Sequence, residues 1–221
     1  MLITTIVDAC NSRNKALSSS YYFGAANGMV SSFEQGAIAN PDVTWEKERK
    51  LNIGLDATLL KNVSVSFDAF RQNRNDILAI PYGSVPSFLG LNLPQRNVGK
   101  VKSSGFEGTI HYHTSQDKKL PFFVKADIWH ARNEIVYNAE ALRADRYLYR
   151  SGQPVGQPFV LEALGFFRDQ ADIDASPRQT FAAVQPGDLK YKDQNGDGLV
   201  DQRDFFPIGN TGMPELTLGL Q

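Results

Sequence analysis

Lys50-Leu51-Asn52-Ile53-Gly54-Leu55-Asp56-Ala57-Thr58-Leu59, followed past Lys61-Asn62 by Val63-Ser64-Val65-Ser66-Phe67-Asp68-Ala69, alternates apolar and polar residues with a period of two. Successive side chains of a strand point to opposite faces, so each run has one oily face and one polar face. Two such runs joined by so short a turn predict a β-hairpin. A helix, with a period of 3.6, would scatter the same apolar residues around its circumference.

The pattern repeats outward from this hairpin. Phe106, Ile110 and Tyr112 stand against Glu107, Thr109, His111 and His113. A polar turn over 114–119 leads to Phe122, Val124, Ala126 and Ile128 against Phe123, Lys125, Asp127 and Trp129. A last alternating run, Leu216 to Gln221, closes the chain. The connections go short at Lys61-Asn62, long over 79–97, short over 114–119 and very long over 134–210. Outer-membrane barrels place short turns on one rim and long loops on the other, with strands of ~9–11 residues that are apolar towards lipid. Residues 48–60, 62–78, 103–113 and 121–133 meet those demands. The expected fold is therefore all-β: an antiparallel up-and-down outer-membrane β-barrel segment, incomplete, with long extracellular loops. A soluble β-sandwich with one wet face shares the alternation and is the competing expectation.

Composition bounds the rest. The 221 residues carry a net charge of -1, which offers no field for nucleic acid. No apolar run approaches the ~18 residues of a membrane helix. The single cysteine, Cys10, excludes an intrachain disulfide or a cysteine zinc cluster and lacks the flanks of a nucleophile. Met1 to Asp8 has no basic region before its apolar stretch and does not read as a signal peptide. Residues 1–44 are weakly patterned and read as loop and turn with at most one strand; 45–133 hold the two hairpins, 134–210 the long loop, and 211–221 the start of a truncated strand.

Within the long loop, Asp193-Gln194-Asn195-Gly196-Asp197-Gly198-Leu199-Val200-Asp201-Gln202-Arg203-Asp204 places oxygen side chains at positions 1, 3, 5, 9 and 12 and glycine at position 6. That is the spacing of an EF-hand-type calcium loop. The expected metal ligands are Asp193, Asn195, Asp197, Asp201, Asp204 and the Leu199 carbonyl, around a structural Ca2+. The competing reading is a polar Asx-rich turn that needs no metal. Position 12 is Asp where an EF-hand prefers Glu, and Pro207 opposes an exit helix, so the loop reads as a staple in another fold.

Other chemistry is sparse. His111 and His113 with Asp127 across the hairpin have two of the ligand types of a zinc site, but the plainer reading is a polar face. His130 falls on the apolar register near a strand end. Asp169, Asp172 and Asp174 read as solvated carboxylates. No nucleophile elbow, phosphate loop or zinc helix is present, and the protein is not expected to be an enzyme. Trp45, Phe70, Tyr112 and Trp129 fit the interfacial girdles of a barrel or ordinary strand packing. Tyr137, Tyr147, Tyr149, Phe166 and Phe167 either stack on a ligand or pack the long loop on itself.

Several stretches stand in one order: Asn40-Pro41-Asp42-Val43-Thr44-Trp45-Glu46, Leu51-Asn52-Ile53-Gly54-Leu55-Asp56, and Asn97-Val98-Gly99-Lys100-Val101 with Gly105-Phe106-Glu107. Then follow Arg168-Asp169-Gln170-Ala171-Asp172-Ile173 and Pro186-Gly187-Asp188-Leu189-Lys190-Tyr191-Lys192-Asp193 running into Asn195-Gly196-Asp197-Gly198. The series resembles the SusC/RagA family of TonB-dependent outer-membrane transporters of Bacteroidetes. The resemblance implies part of a TonB-dependent importer of glycans, oligosaccharides or peptides, seated in outer-membrane lipid. It implies as partners a SusD/RagB-like surface lipoprotein and, through a plug region, the TonB complex. No plug is visible and about five strands are countable, whereas the smallest membrane barrels close with eight. A C-terminal-half fragment, not transport-competent alone, is thus expected. The competing function is a soluble calcium-dependent carbohydrate-binding β-sandwich. Two departures stand out: the family pattern has an Asp-Arg pair before Ile-Gly-Asn, whereas Asp204 here precedes Phe205, so that arginine's ion pair is either absent or shifted to Arg203; and Phe159-Val160-Leu161-Glu162 replaces expected small and aromatic residues.

Overall fold

The structure, a computed structural model, describes residues 16–22, 29–35, 40–59, 61–83, 93–114 and 120–221. The readings of Met1 to Asp8 and of Cys10 lie outside the described residues. Where one strand at most was expected, β1 (Ala16–Tyr22) and β2 (Met29–Gln35) pair as an antiparallel hairpin, Ser19 opposite Ser32. Serine-rich strands lack the oily face that marks a strand in sequence.

One five-stranded sheet follows, ordered β13-β6-β5-β4-β3. It contains β3 (Lys47–Leu59), β4 (Val63–Ala79), β5 (Arg96–His113), β6 (Phe123–Tyr137) and β13 (Leu216–Leu220). Four of them run to 13, 17, 18 and 15 residues, long enough to cross a bilayer at a tilt. Each neighbour in sequence is a neighbour in space, the up-and-down order. β5 begins at Arg96, earlier than the alternation from 103 suggested. Asn97, which reads as a turn residue, is instead a tie between segments: its Nδ2 donates to the carbonyls of Thr44 and Asp76, and its Oδ1 accepts from the Thr44 amide. β6 likewise runs on to Tyr137.

Of the described residues, those within 1–49, 73–101 and 136–141 form one compact unit, and those within 50–72, 102–135 and 142–221 a second. In the first, ion pairs brace the strands: Lys47 with Asp76 at 3.0 Å, and Arg74 with Glu48 at 3.3 Å and Glu46 at 3.6 Å. In the second, the two faces of the sheet differ. Leu51, Ile53 and Leu55 are 61%, 66% and 64% exposed, and Phe67, Ile110, Leu216 and Leu218 are exposed too. Phe106 stacks between Phe67 and His130, and Leu218 faces Ile128 across the ladder. A run of exposed apolar side chains along one sheet face marks a surface that meets something other than water. Lipid is the solvent that suits it. The opposite face carries Asn52 hydrogen-bonded to Asp68 (3.0 Å), Thr109 to Asp127 (2.7 Å), and the Lys125–Asp127 ion pair (3.1 Å).

A β-sandwich needs two sheets facing one another, and among the described residues the long strands all belong to one sheet. At Gly105 a Cβ would meet the His130 carbonyl, Phe70 Cζ at 2.8 Å and Ala131 Cα at 2.9 Å. A side chain here would run into the β6 backbone as well as the Phe70 ring, so the position takes glycine. Phe70 thus packs on the polar register, with Lys50 Nζ 5.8 Å from its ring centre, and is not a girdle residue facing lipid. Trp129 also shares the polar face, beside Asp68, Glu107 and Thr109. Tyr112, against Phe122 at 5.8 Å, keeps the apolar register expected of a girdle.

Candidate functional site

The connection from β6 to β13 is folded. Its strands are β7 (Phe159–Val160), β8 (Ala163–Phe166), β9 (Arg178–Gln179), β10 (Leu189–Tyr191), β11 (Leu199–Val200) and β12 (Phe206–Pro207). β7 pairs with β12, β8 with β10, and β9 runs parallel to β11. A short helix α1 (Gln170–Asp174) and 3-10 turns at Arg146–Leu148 and Gln202–Asp204 complete it. Among the described residues the fully buried side chains are Val200 and Asp204, with Phe167 nearly so at 3% exposure. So small an apolar core leaves polar ties to hold the segment.

The acidic motif supplies many of those ties. Asp193 Oδ1 accepts from the Gly196 amide at 2.6 Å and its Oδ2 from Gly198 at 2.8 Å. Asn195 Oδ1 accepts from Asp197, and Asp197 Oδ1 from Leu199, at 2.9 and 3.0 Å. These successive Asx turns wind the chain tightly. Gly196 at φ +74° supplies the left-handed residue they need. β11 then leaves along β9, with the Gly198 and Val200 carbonyls accepting from Arg178 and Thr180.

Asp204 does something the spacing did not announce. It is wholly buried, and Oδ1 accepts from the Gln194 amide at 2.8 Å while Oδ2 accepts from Asp201 at 2.7 Å. The carboxylate thereby ties the start of the loop to its end and forms a capping box with Asp201. The shorter arm of Asp suits this inward reach. Arg203 contacts Asp197 Oδ2 through Nη2 and Asp201 Oδ2 through Nε at 3.4 Å. The Leu199 amide, then Asn195 and Arg203, hold the Asp197 carboxyl below its ordinary range, while Asp197 and Asp201 raise Arg203.

Calcium prefers hard oxygen donors, and the loop has them. Their placement differs from a cage: among the described residues no three acidic, histidine or cysteine side chains gather where one ion could hold them. Asp204 is turned to backbone amides, and a guanidinium stands at Asp197 and Asp201. The donors are of the kind calcium takes, and in this arrangement Asp204 is engaged by backbone amides and Asp197 and Asp201 by Arg203.

The surrounding residues are structural. Glu162 accepts from Lys192 (3.0 Å) and Gln194 (2.8 Å), and these bonds hold its carboxyl below its ordinary range. Asp169 caps α1 through the Asp172 amide, and Asp174 takes Gln170 Nε2 at 2.9 Å. Asp172 takes Lys190 Nζ at 2.9 Å, which with the Arg168 amide depresses its pKa. Tyr147 donates to the Arg203 carbonyl at 2.7 Å and rests on Phe206, and Phe167 lies under Lys190. Tyr149 Oη accepts from the Arg143 amide at 2.9 Å. These three aromatics pack the loop on itself; Phe166 and Tyr137 stay exposed at 67% and 50%. The sequence marks Tyr147 only as an aromatic of the long connection and Glu162 only within Phe159-Val160-Leu161-Glu162; neither reading names the partner, Arg203 for the one and Lys192 and Gln194 for the other. His111 stacks on His113 and Phe123.

Comparison with known proteins matches residues 14–212 to the family model described as TonB dependent receptor-like, β-barrel. TonB-dependent receptor P26 of Formosa agariphila is 26% identical over 200 residues, covering 84% of this chain and 19% of that protein. TonB-dependent receptor P39 of the same organism is 23% identical over 235 aligned positions, covering 90% and 22%. The solved structure of the RagAB peptide transporter superposes with a TM-score of 0.61 at 17% identity, covering 94% of this chain and 22% of that one. The RagAB peptide importer in its open-open state gives 0.60 at 18%, covering 95% and 22%. The chain spans about a fifth of the length of the curated relatives it matches.

Proposed function

Because the chain belongs to the TonB-dependent receptor-like β-barrel family of the outer membrane, we propose that it forms one sector of the barrel of a nutrient importer. The observation that supports this most is the five-stranded sheet, four of whose strands run to 13–18 residues, with one apolar and one polar face. The apolar face meets lipid, and the polar face lines the lumen. Peptides or oligosaccharides are the proposed cargo; the RagAB neighbours, described as peptide transporters, support the first. A surface lipoprotein of SusD/RagB type is the proposed partner, docking where the folded connection 138–215 lies. Transport belongs to the longer protein, since the five strands of this sheet are fewer than the eight a barrel needs to close. The soluble carbohydrate-binding sandwich finds no support in the fold or the family.

The test is uptake by cells carrying the longer protein with the segment Arg143–Asn210 excised. Loss of uptake of labelled peptide or oligosaccharide, with the barrel still in the outer membrane, is the expected result. Undiminished uptake of both would refute the assignment of a docking role to this connection.

Calcium at the loop is a separate proposal, supported by donor type and spacing. Asp193, Asn195, Asp197, Asp201, Asp204 and the Leu199 carbonyl would have to draw together, and Arg203 would have to leave. Calcium titration followed by the intrinsic fluorescence or protease resistance of the loop tests it, and no response up to millimolar calcium would end it.

A further inference from the structure

Four carboxylates in one tight loop repel one another unless positive charge stands among them. The spacing suggested a metal; the structure supplies a side chain. Arg203 meets Asp197 with Nη2 and Asp201 with Nε, at loop positions 5 and 9, where a calcium loop would present ligands. Its backbone is held as well: its amide donates to Asp201 Oδ1 at 2.7 Å, and its carbonyl accepts from Tyr147 at 2.7 Å. The planar guanidinium keeps its charge at every physiological pH and reaches two acceptors from a fixed fork, which an ammonium does less well. The two carboxylates are each 29% exposed and the arginine 47%, so solvent screens the contacts only in part.

We propose that Arg203 is the resident cation of this loop, closing Asp197 and Asp201 on one guanidinium so that the order of residues 193–204 does not require calcium. The proposal stands apart from the importer reading and competes with the calcium one. A cation seeking Asp197 and Asp201 must first displace Arg203.

Hydrogen exchange at the amides of Gly196, Gly198, Leu199 and Asp201 tests it, on the full chain in detergent micelles, with EDTA and with millimolar calcium. The wild type should be equally protected in both. Arg203→Gln should exchange roughly three- to tenfold faster in EDTA, the range expected when two part-exposed ion pairs are lost. Arg203→Lys should fall between, while β5 and β6 stay unchanged. Calcium that restores Arg203→Gln would show the ion and the guanidinium sharing the same carboxylates. Failure to restore it would support the clamp and remove the calcium reading. Two results overturn the proposal: a wild type that loses protection in EDTA, or an Arg203→Gln chain as protected as wild type in EDTA.

Discussion

Replacing Asp204 by alanine removes the buried tie that joins the two ends of the acidic loop. The carboxylate accepts short bonds from Gln194 (2.8 Å) and Asp201 (2.7 Å) and a long one from Asn195 (3.5 Å), with no exposure to solvent. Leaving a buried donor unsatisfied costs about 1–3 kcal/mol, so the two short bonds together are worth about 2–4 kcal/mol once water reaches part of the opened loop. At 1.4 kcal/mol per decade that is roughly a thirty- to several-hundredfold rise in local opening. Exchange at the Gln194 and Asp201 amides reads it, with β6 amides as the control. Asp204→Asn keeps one acceptor and sets an N–H against a backbone N–H, so about half the effect is expected. The loss must be the same in EDTA as in calcium, because the tie is to backbone amides. Asp204→Ala as protected as wild type would refute the reasoning, and a loss seen only in calcium would make Asp204 a ligand.

Three further outcomes rest on other parts of the chain. Gly105→Val should destabilise the sheet by about 1–3 kcal/mol through overpacking against Phe70 and the β6 backbone, read by thermal unfolding of the chain in detergent micelles. Leu55→Arg should cost about 2–4 kcal/mol if the residue sits near the bilayer midplane, whereas Asp56→Arg, one position on and on the lumen face, should cost little. Asp172 and Glu162 have pKa values lowered first by Lys190 and Lys192, from ordinary values of 3.8 and 4.5. Their contribution is present above those ordinary values and is lost as pH falls through the depressed ones. Protease resistance of the loop should therefore be flat from neutral pH to about 5 and fall below about 4, with the fall blunted in an Asp172→Asn, Glu162→Gln chain.

The membrane sheet was legible because its signal is local. Leu51, Ile53 and Leu55 against Asn52 and Asp56 need no knowledge of partners to be placed on a face. The serine-rich β1 and β2 carry no such contrast, and the early start of β5 was hidden by Asn97 and Gly99, which look like turn residues until their partners are known. The acidic loop was legible in composition and not in wiring. Spacing places Asp193 to Asp204 on one loop, yet whether a carboxylate faces a cation, an amide or a guanidinium is set by where Gln194, Tyr147 and Arg203 come to rest. Those are tertiary facts. Phe70 and Trp129 make the same point on the sheet: aromatic at a strand end says interface, but strand register put both on the polar face.

The measurement that bears most directly on the account is a spin-label scan of residues 63–69, one cysteine at a time in a Cys10→Ser background, in lipid. A barrel sector predicts a period of two: Val63, Val65, Phe67 and Ala69 accessible to oxygen from the bilayer, and Ser64, Ser66 and Asp68 accessible to a water-soluble nickel complex. Nickel access at every position, or oxygen access with no alternation, would contradict it.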